Sequence, residues 1–254
     1  MSALGAALRN VMARSGYLVL KKAFVRYGYD LFVDIGRIGA PWGWRVETVF
    51  DVGANIGQFA SDALAAFPGA TVHSFEPHPV AFEQLKAAIS DPRFVLHQLA
   101  LGEERGEATL YDYGADENDA AMINSLVPDS RFAVAFGYEH KETAVRCETL
   151  DTVCAENGVE RIDLLKVDTE GFDLFVLKGA ERMLRERRIR FVYVEFNDVF
   201  AKEGTTGGAL APIAEYLGRF GMRYMVTYTD FVMHEGRVSV CANALFACPP
   251  ENSQ

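Results

Sequence analysis

Long apolar runs are missing from this sequence. Each hydrophobic stretch is interrupted by charge well short of the roughly 20 residues that a membrane-spanning helix needs. Half of the 254 residues are nevertheless hydrophobic, ample for a sizeable core. The N-terminus, MSALGAALRNVMARSG, lacks the apolar segment and small-residue cleavage site of a secretory signal, so the expected location is cytoplasmic. Cysteine is scarce: Cys147, Cys154, Cys241 and Cys248 show no C-x-x-C pairing and no neighbouring histidine cluster. Reduced core cysteines are the expectation. Net positive charge is absent as well. With 25 Lys and Arg against 35 Asp and Glu the chain carries −10, which argues against nucleic acid as a partner. There is no internal repeat and no low-complexity tract.

The charge is uneven. Through Trp44 the basic residues are Arg9, Arg14, Lys21, Lys22, Arg26 and Arg37, against Asp30 and Asp34 alone. Residues 1–46 therefore form a basic, helical arm ahead of an acidic domain at 47–254. Such an arm suits a flap on the core or a contact in a homo-oligomer. Peripheral contact with an anionic membrane is the alternative.

From Thr48 onward, β-rich runs alternate with helical ones. Strands are expected at 48–52, 71–75, 94–100, 162–167, 190–196, 223–227 and 241–247. Helices are expected at 59–67, after Pro79, from the fourth strand to about Arg185, and at 211–220. The alternation predicts a mostly parallel seven-stranded α/β sheet with helices on both faces. No helix separates the final two runs, so the last strand should be antiparallel. A segment at about 102–148 breaks the rhythm. It holds the hairpin-like EATLYDY, the polar GADENDAAMINSL and a strand-like run at Glu142–Cys147. A long loop leaving the carboxyl end of a strand is placed to shape a binding pocket, here an acceptor pocket over Asp112 to Tyr138.

The first strand runs into VFDVGANIGQF. Glycines between a strand and a helix let backbone approach a ligand at the helix N-terminus. The G-x-G-x-x-G of nicotinamide dinucleotide sites is missing, and so is the G-K-[ST] of a P-loop. The pattern present is D-x-G-x-x-x-G, which suits a ligand bearing an ammonium and a carboxylate. Asp51 would orient the ammonium, and the backbone of Gly53, Ala54, Asn55 and Gly57 would approach the amino-acid part. Glu76 ends the second strand, where a carboxylate can accept both hydroxyls of a ribose.

These stretches, together with LDTVCAENGVERIDLLKVDTEGFDLFVLKGA and VYVEFND, resemble the FkbM-type S-adenosylmethionine-dependent methyltransferases over roughly 49–198. K-V-D-T-E-G with the later V-L-K-G-A is the most specific part. The resemblance implies a Rossmann-like class I methyltransferase fold and methylation of a hydroxyl oxygen on a sugar, glycolipid or natural-product scaffold. Asn124-Ser125-Leu126 is similar to a short Ser-Leu element of the family, which implies that Ser125 contacts the adenine side or the acceptor.

In the class I strand order, Asp168 and Glu170 after the fourth strand meet Glu195 and Asn197 after the fifth, where the methyl group leaves sulfur. An alcohol must lose its proton to attack. Asp168 or Glu195 could take it directly, with Glu170 beside them. Alternatively, Asp168, Glu195 and Asn197 could hold a Mg²⁺-like cation, since an all-oxygen set suits a hard ion. His78 and His140 are further candidate bases. Lys166, inside the fourth strand, is expected only to pair with an acid, and Lys178 and Gly179 to set helix packing. The competing readings are a nicotinamide-dependent oxidoreductase of related fold and a non-catalytic binding module.

Overall fold

The computed structural model describes residues 25–113, 124–128, 140–197, 208–234 and 237–251. In chain order it contains α1 (Leu31–Gly39), β1 (Thr48–Val52), α2 (Gln58–Ala66), β2 (Thr71–Phe75), α3 (Pro79–Ala88), β3 (Phe94–His97), β4 (Ala100–Leu101), β5 (Gly106–Asp112), β6 (Asn124–Ser125), β7 (Lys141–Glu148), α4 (Leu150–Glu156), β8 (Ile162–Val167), α5 (Asp173–Lys178), α6 (Glu181–Arg185), β9 (Ile189–Phe196), α7 (Leu210–Gly218), β10 (Arg223–His234) and β11 (Arg237–Ala247).

The main sheet has seven strands in the order β10-β11-β9-β8-β1-β2-β3. The five strands from β9 to β3 are parallel, and β11 runs antiparallel between β9 and β10. The expected antiparallel last strand is thus present, inserted by a hairpin return. β1 and β8 are buried along nearly their whole length because helices cover both faces. Alternation along β1 divides the core. Phe50 and Val52 pack with α5, α6 and α7, while Val49 packs with α1 and α2 on the other face. The sequence leaves β1 in opposite directions, through β2 on one side and β8 on the other. That reversal opens a crevice at the carboxyl ends of these two strands.

Local chemistry sets the element ends. Asp30 caps α1 by accepting from the Val33 amide, and Thr149 caps α4 by accepting from Thr152. Pro79 starts α3, where its missing N–H costs nothing. The helix expected to run to about Arg185 is two short ones, α5 and α6. Gly179 lies at the break, and a Cβ there would sit 2.0 Å from the Gly102 carbonyl oxygen. Gly179 therefore sets helix packing, as expected.

Other expectations are corrected. The third strand stops at His97, and Ala100–Leu101 joins a separate four-stranded sheet, β4-β7-β5-β6. Much of the segment at 102–148 is this sheet, because β5 and β7 pair antiparallel along seven positions from Gly106↔Cys147 to Asp112↔Lys141. Residues 114–123 and 129–139 of the expected acceptor loop lie outside the described residues. The last two strands are longer than expected, 12 and 11 residues. Leu31, Ile35 and Ile38, within the expected arm, belong to the same core cluster as Val49 and Leu164. Buried Asp34 accepts from the Gly28 amide and the Tyr228 hydroxyl, tying this segment to β10. Residues 1–24, with Arg9, Arg14, Lys21 and Lys22, lie outside the described residues. Cys147, Cys154 and Cys248 are free and buried. Among the described residues no helix is long and apolar enough to cross a membrane.

Candidate active site

The crevice is built from three turns, and the first follows β1. Gly53 and Gly57 take positive φ (74° and 90°), and so does Asn55 at 47°, a conformation that asparagine tolerates better than most residues. The amides of this turn are mostly consumed within the protein. Those of Gly53 and Ala54 both donate to the Phe75 carbonyl, Asn55 donates to Glu76 Oε2, and Gly57 donates to Ala54. These amides close the β1–β2 junction. The physical need for Gly53 is a close approach. A Cβ there would lie 1.9 Å from the Asp168 carbonyl oxygen, so the glycine lets the turns after β1 and β8 touch.

Glu76 ends β2 as expected and is almost fully buried. Its Oε1 accepts from the His78 amide and its Oε2 from the Asn55 amide, both at 2.8 Å. Each carboxylate oxygen keeps a lone pair for a further donor. Burial pushes its carboxyl up to about 7, against the pull of these two amides. Glu76 lines a cavity with Gly53, Leu99, Leu101, Leu110, Asn124, Leu126, Asp168, Thr169 and Phe172. The cavity lies between the carboxyl edge of the main sheet and the small sheet.

Asp51 sits beneath the turn with 0% exposure. The ammonium it meets is that of Lys166, 3.2 Å from Oδ1, while Ser74 donates to Oδ2 at 3.3 Å. Asp51 is thus paired inside the protein with Lys166. Lys166 pairs with an acid, as expected, and in fact with two. Its Nζ donates to the Gly53 carbonyl at 2.8 Å and lies 3.4 Å from Asp168 Oδ2. Burial works against its charge, but Asp168 and Asp51 outweigh it and raise its pKa. One buried cation therefore binds the acids of β1 and β8 together.

The second turn follows β8. Glu170 (φ 52°) and Gly171 (φ 98°) are left-handed, and the turn is held by Asp173, whose carboxylate accepts from the Thr169 and Gly171 amides at 3.1 Å each. Asp173 is the first residue of α5, so the helix start itself holds the turn. Burial raises Asp173 to about 6 in spite of those two bonds. Ser125 is buried, with its hydroxyl donating to the Glu170 carbonyl and accepting from the Val127 amide. That places it at the rim of the site as a tie between the small sheet and this turn.

The third turn follows β9. Val167 pairs with Val194, so the next residues on each strand, Asp168 and Glu195, come side by side. Carboxylate oxygens of Asp168, Glu170 and Glu195 all lie within 4.8 Å of one another. Glu170 stands beside Asp168 and Glu195, where the strand order placed it. Burial pushes Glu170 up to about 8 and Glu195 well above its ordinary range, and the neighbouring acids push both further. Asp168 is the most open of the buried charge network, its side chain 36% exposed. Asn197 donates its amide to the Gly208 carbonyl, and its carboxamide oxygen is buried without a hydrogen-bond partner among the described residues. The same is true of Asn55 Oδ1, Asn124 Oδ1 and Thr169 Oγ1. Two of these atoms belong to residues that line the cavity, Asn124 and Thr169, which suits a polar ligand.

The two histidines fall outside this chemistry. His78 Nε2 faces Asp112 at 3.2 Å, and His140 packs edge-on against Tyr111 and Tyr113.

A methyltransferase FkbM domain model matches residues 51–224. The chain belongs to that family. It is 34% identical over 189 residues to the 31-O-demethyl-FK506 methyltransferase FkbM of Streptomyces tacrolimicus, covering 65% of this chain and 70% of that protein. It is 27% identical over 162 residues to the 2-O-methyltransferase NoeI of Sinorhizobium fredii, covering 61% and 65%. With the hexuronic acid methyltransferase AglP of Haloferax volcanii it shares 27% over 158 residues, covering 59% and 56%. The match therefore extends over 56–70% of these relatives' lengths. Its bounds contain the three turns and the small sheet, so this FkbM-type methyltransferase carries its crevice within the family domain. S-adenosylmethionine is the cofactor that goes with such an enzyme.

Proposed function

We propose that this FkbM-type methyltransferase moves the methyl group of S-adenosylmethionine to a hydroxyl oxygen of a sugar, glycolipid or natural-product scaffold. The observation that carries this reading is one adjacency. A cavity rimmed by Glu76 and orphaned polar atoms opens beside the carboxylates of Asp168, Glu170 and Glu195. Glu76 takes the ribose hydroxyls, and Leu99, Leu101, Leu110 and Phe172 supply an apolar bed for the adenine. Gly53, Ala54, Asn55 and Gly57 give the turn its shape, and Asp51 acts through Lys166. Asn124, Thr169 and Asp168 face the amino-acid end. The relatives named for O-methylation support an oxygen acceptor, and the one named for a hexuronic acid supports a sugar-type acceptor.

The transfer is an in-line displacement. The acceptor oxygen attacks the methyl carbon, the C–S bond breaks, and the acceptor's proton passes to Asp168 or Glu195, leaving S-adenosylhomocysteine and the methyl ether. The donor set of Asp168, Glu170 and Glu195, with Asn197 adjacent in sequence to β9, also fits a hard divalent cation. Magnesium bound there would lower the pKa of the acceptor hydroxyl.

Calorimetric titration with S-adenosylhomocysteine tests the reading. Micromolar binding is expected, weakened at least about tenfold (about 1.4 kcal/mol) by Glu76→Ala. No binding by the intact protein overturns it. Acceptor screening with and without a chelator then separates direct proton removal, which survives chelation, from cation-assisted transfer, which does not.

A further inference from the structure

The cavity has a floor and a roof from different sheets. The floor is the carboxyl edge of the main sheet, and the roof is the end of the small sheet. Two polar ties hold the roof down. On one side Ser125 of β6 donates to the Glu170 carbonyl in the turn after β8. On the other, Asp112 at the end of β5 meets His78, which lies in the turn after β2. Asp112 and Asn124 are register partners, as are Tyr111 and Ser125, so both ties act on one two-stranded tip. Asn124, beside Ser125, lines the cavity.

Three of the bonds that His78 makes bear on this junction. Its amide donates to Glu76 Oε1 at 2.8 Å. Its Nδ1 caps α3 by accepting from the Ala81 amide. With Nδ1 accepting, the ring proton sits on Nε2 and is donated to Asp112 Oδ2 at 3.2 Å. Both side chains are mostly shielded, 12% and 19% exposed, so water competes weakly for the bond. Through one residue, the carboxylate assigned to the ribose is thus joined to the strand that roofs the adenosine pocket.

We propose that His78 and Asp112 form a positioning clasp that sets the cofactor pocket by fixing the small sheet over Glu76. This inference rests on the cofactor reading above. Neither residue touches the reacting atoms, so the clasp acts on cofactor affinity. When cofactor fills the cavity, the roof and the Glu76 turn become ordered as one unit.

The test is calorimetric titration of the full chain with S-adenosylhomocysteine. Asp112→Leu and His78→Phe are each expected to weaken binding about tenfold. The double variant should be weakened by clearly less than the product of the single effects, because both remove the same bond. Asp112→Asn keeps an acceptor oxygen for Nε2–H and should bind within about threefold of the original. Folded variants that bind within twofold of the original overturn the clasp, as do single effects that multiply in the double variant. A loss of melting temperature without a loss of affinity also overturns it. Hydrogen exchange on the unaltered protein gives a second measure that no misfolded variant can spoil. S-adenosylhomocysteine should slow exchange at 76–81 and at 106–112 together, and slowing at 76–81 alone overturns the proposal. No binding by the unaltered protein instead overturns the cofactor reading, so the two failures are distinct.

Discussion

At the scale of single residues, Lys166 carries the most consequence. It is buried in β8 and lies between Asp51 and Asp168, with its third contact to the Gly53 carbonyl. Lys166→Met would leave Asp51 as a buried acid with no cation beside it. Breaking a buried pair from one side costs about 3–5 kcal/mol, and urea unfolding should show a loss of that order. A loss below about 1 kcal/mol would mean that the pair contributes little. A lysine inside an apolar strand gives no local sign of its partner. Asp51 reaches it only through the register Asp51↔Lys166 between strands more than a hundred residues apart. Glu76 was readable because its signal is local: an acid at the end of the second strand after a glycine turn. Asp168 and Glu195 were readable through the expected strand order. Asp173 was not, because its role depends on a turn whose left-handed residues, Glu170 and Gly171, spacing does not reveal.

At the scale of elements, the two glycines of the first turn separate two kinds of close approach. Both have positive φ, so each alanine variant carries backbone strain. Their neighbours differ. A Cβ on Gly53 meets the backbone carbonyl of Asp168 at 1.9 Å, whereas a Cβ on Gly57 meets the Leu85 side chain at 2.2 Å. Leu85 can rotate or shift with α3, but the Asp168 carbonyl is fixed between β8 and the acid cluster. Gly53→Ala should therefore be more destabilising than Gly57→Ala by about 1–3 kcal/mol, and it should also abolish binding of S-adenosylhomocysteine. Chemical unfolding and titration of the two variants side by side check this; equal losses would contradict it. Helices and core strands announced themselves through periodicity and punctuation. The small sheet showed its strands, as the hairpin-like EATLYDY and the run at Glu142–Cys147, but not their pairing, which spans a long excursion. α5 and α6 looked like one helix because the break at Gly179 answers a distant carbonyl, that of Gly102.

At the scale of the whole molecule, the buried titratable groups pull stability in opposite directions with pH. Burial raises Glu76 to about 7 and Glu170 to about 8, so their contribution is present at low pH and is lost as pH rises through those values. His73 works the other way. It lies on β2, with Nδ1 3.2 Å from His97 Nε2 and its ring 4.9 Å from that of Phe50. Burial, helped by His97, lowers His73 to about 4 from the ordinary 6.5. In the unfolded chain it takes a proton near pH 6.5. Its contribution is therefore full above that pH and is lost as pH falls toward 4, on the order of 2 kcal/mol. The total acid response mixes these trends, so the informative quantity is a difference. His73→Leu removes the histidine term and leaves Glu76 and Glu170 in place. Unfolding free energies of both proteins, measured from pH 7 to pH 4, should diverge below pH 6.5, with the unaltered chain losing more. A gap that stays constant across that range would show that His73 accepts its proton without unfolding cost, and that the His73–His97 contact opens locally instead.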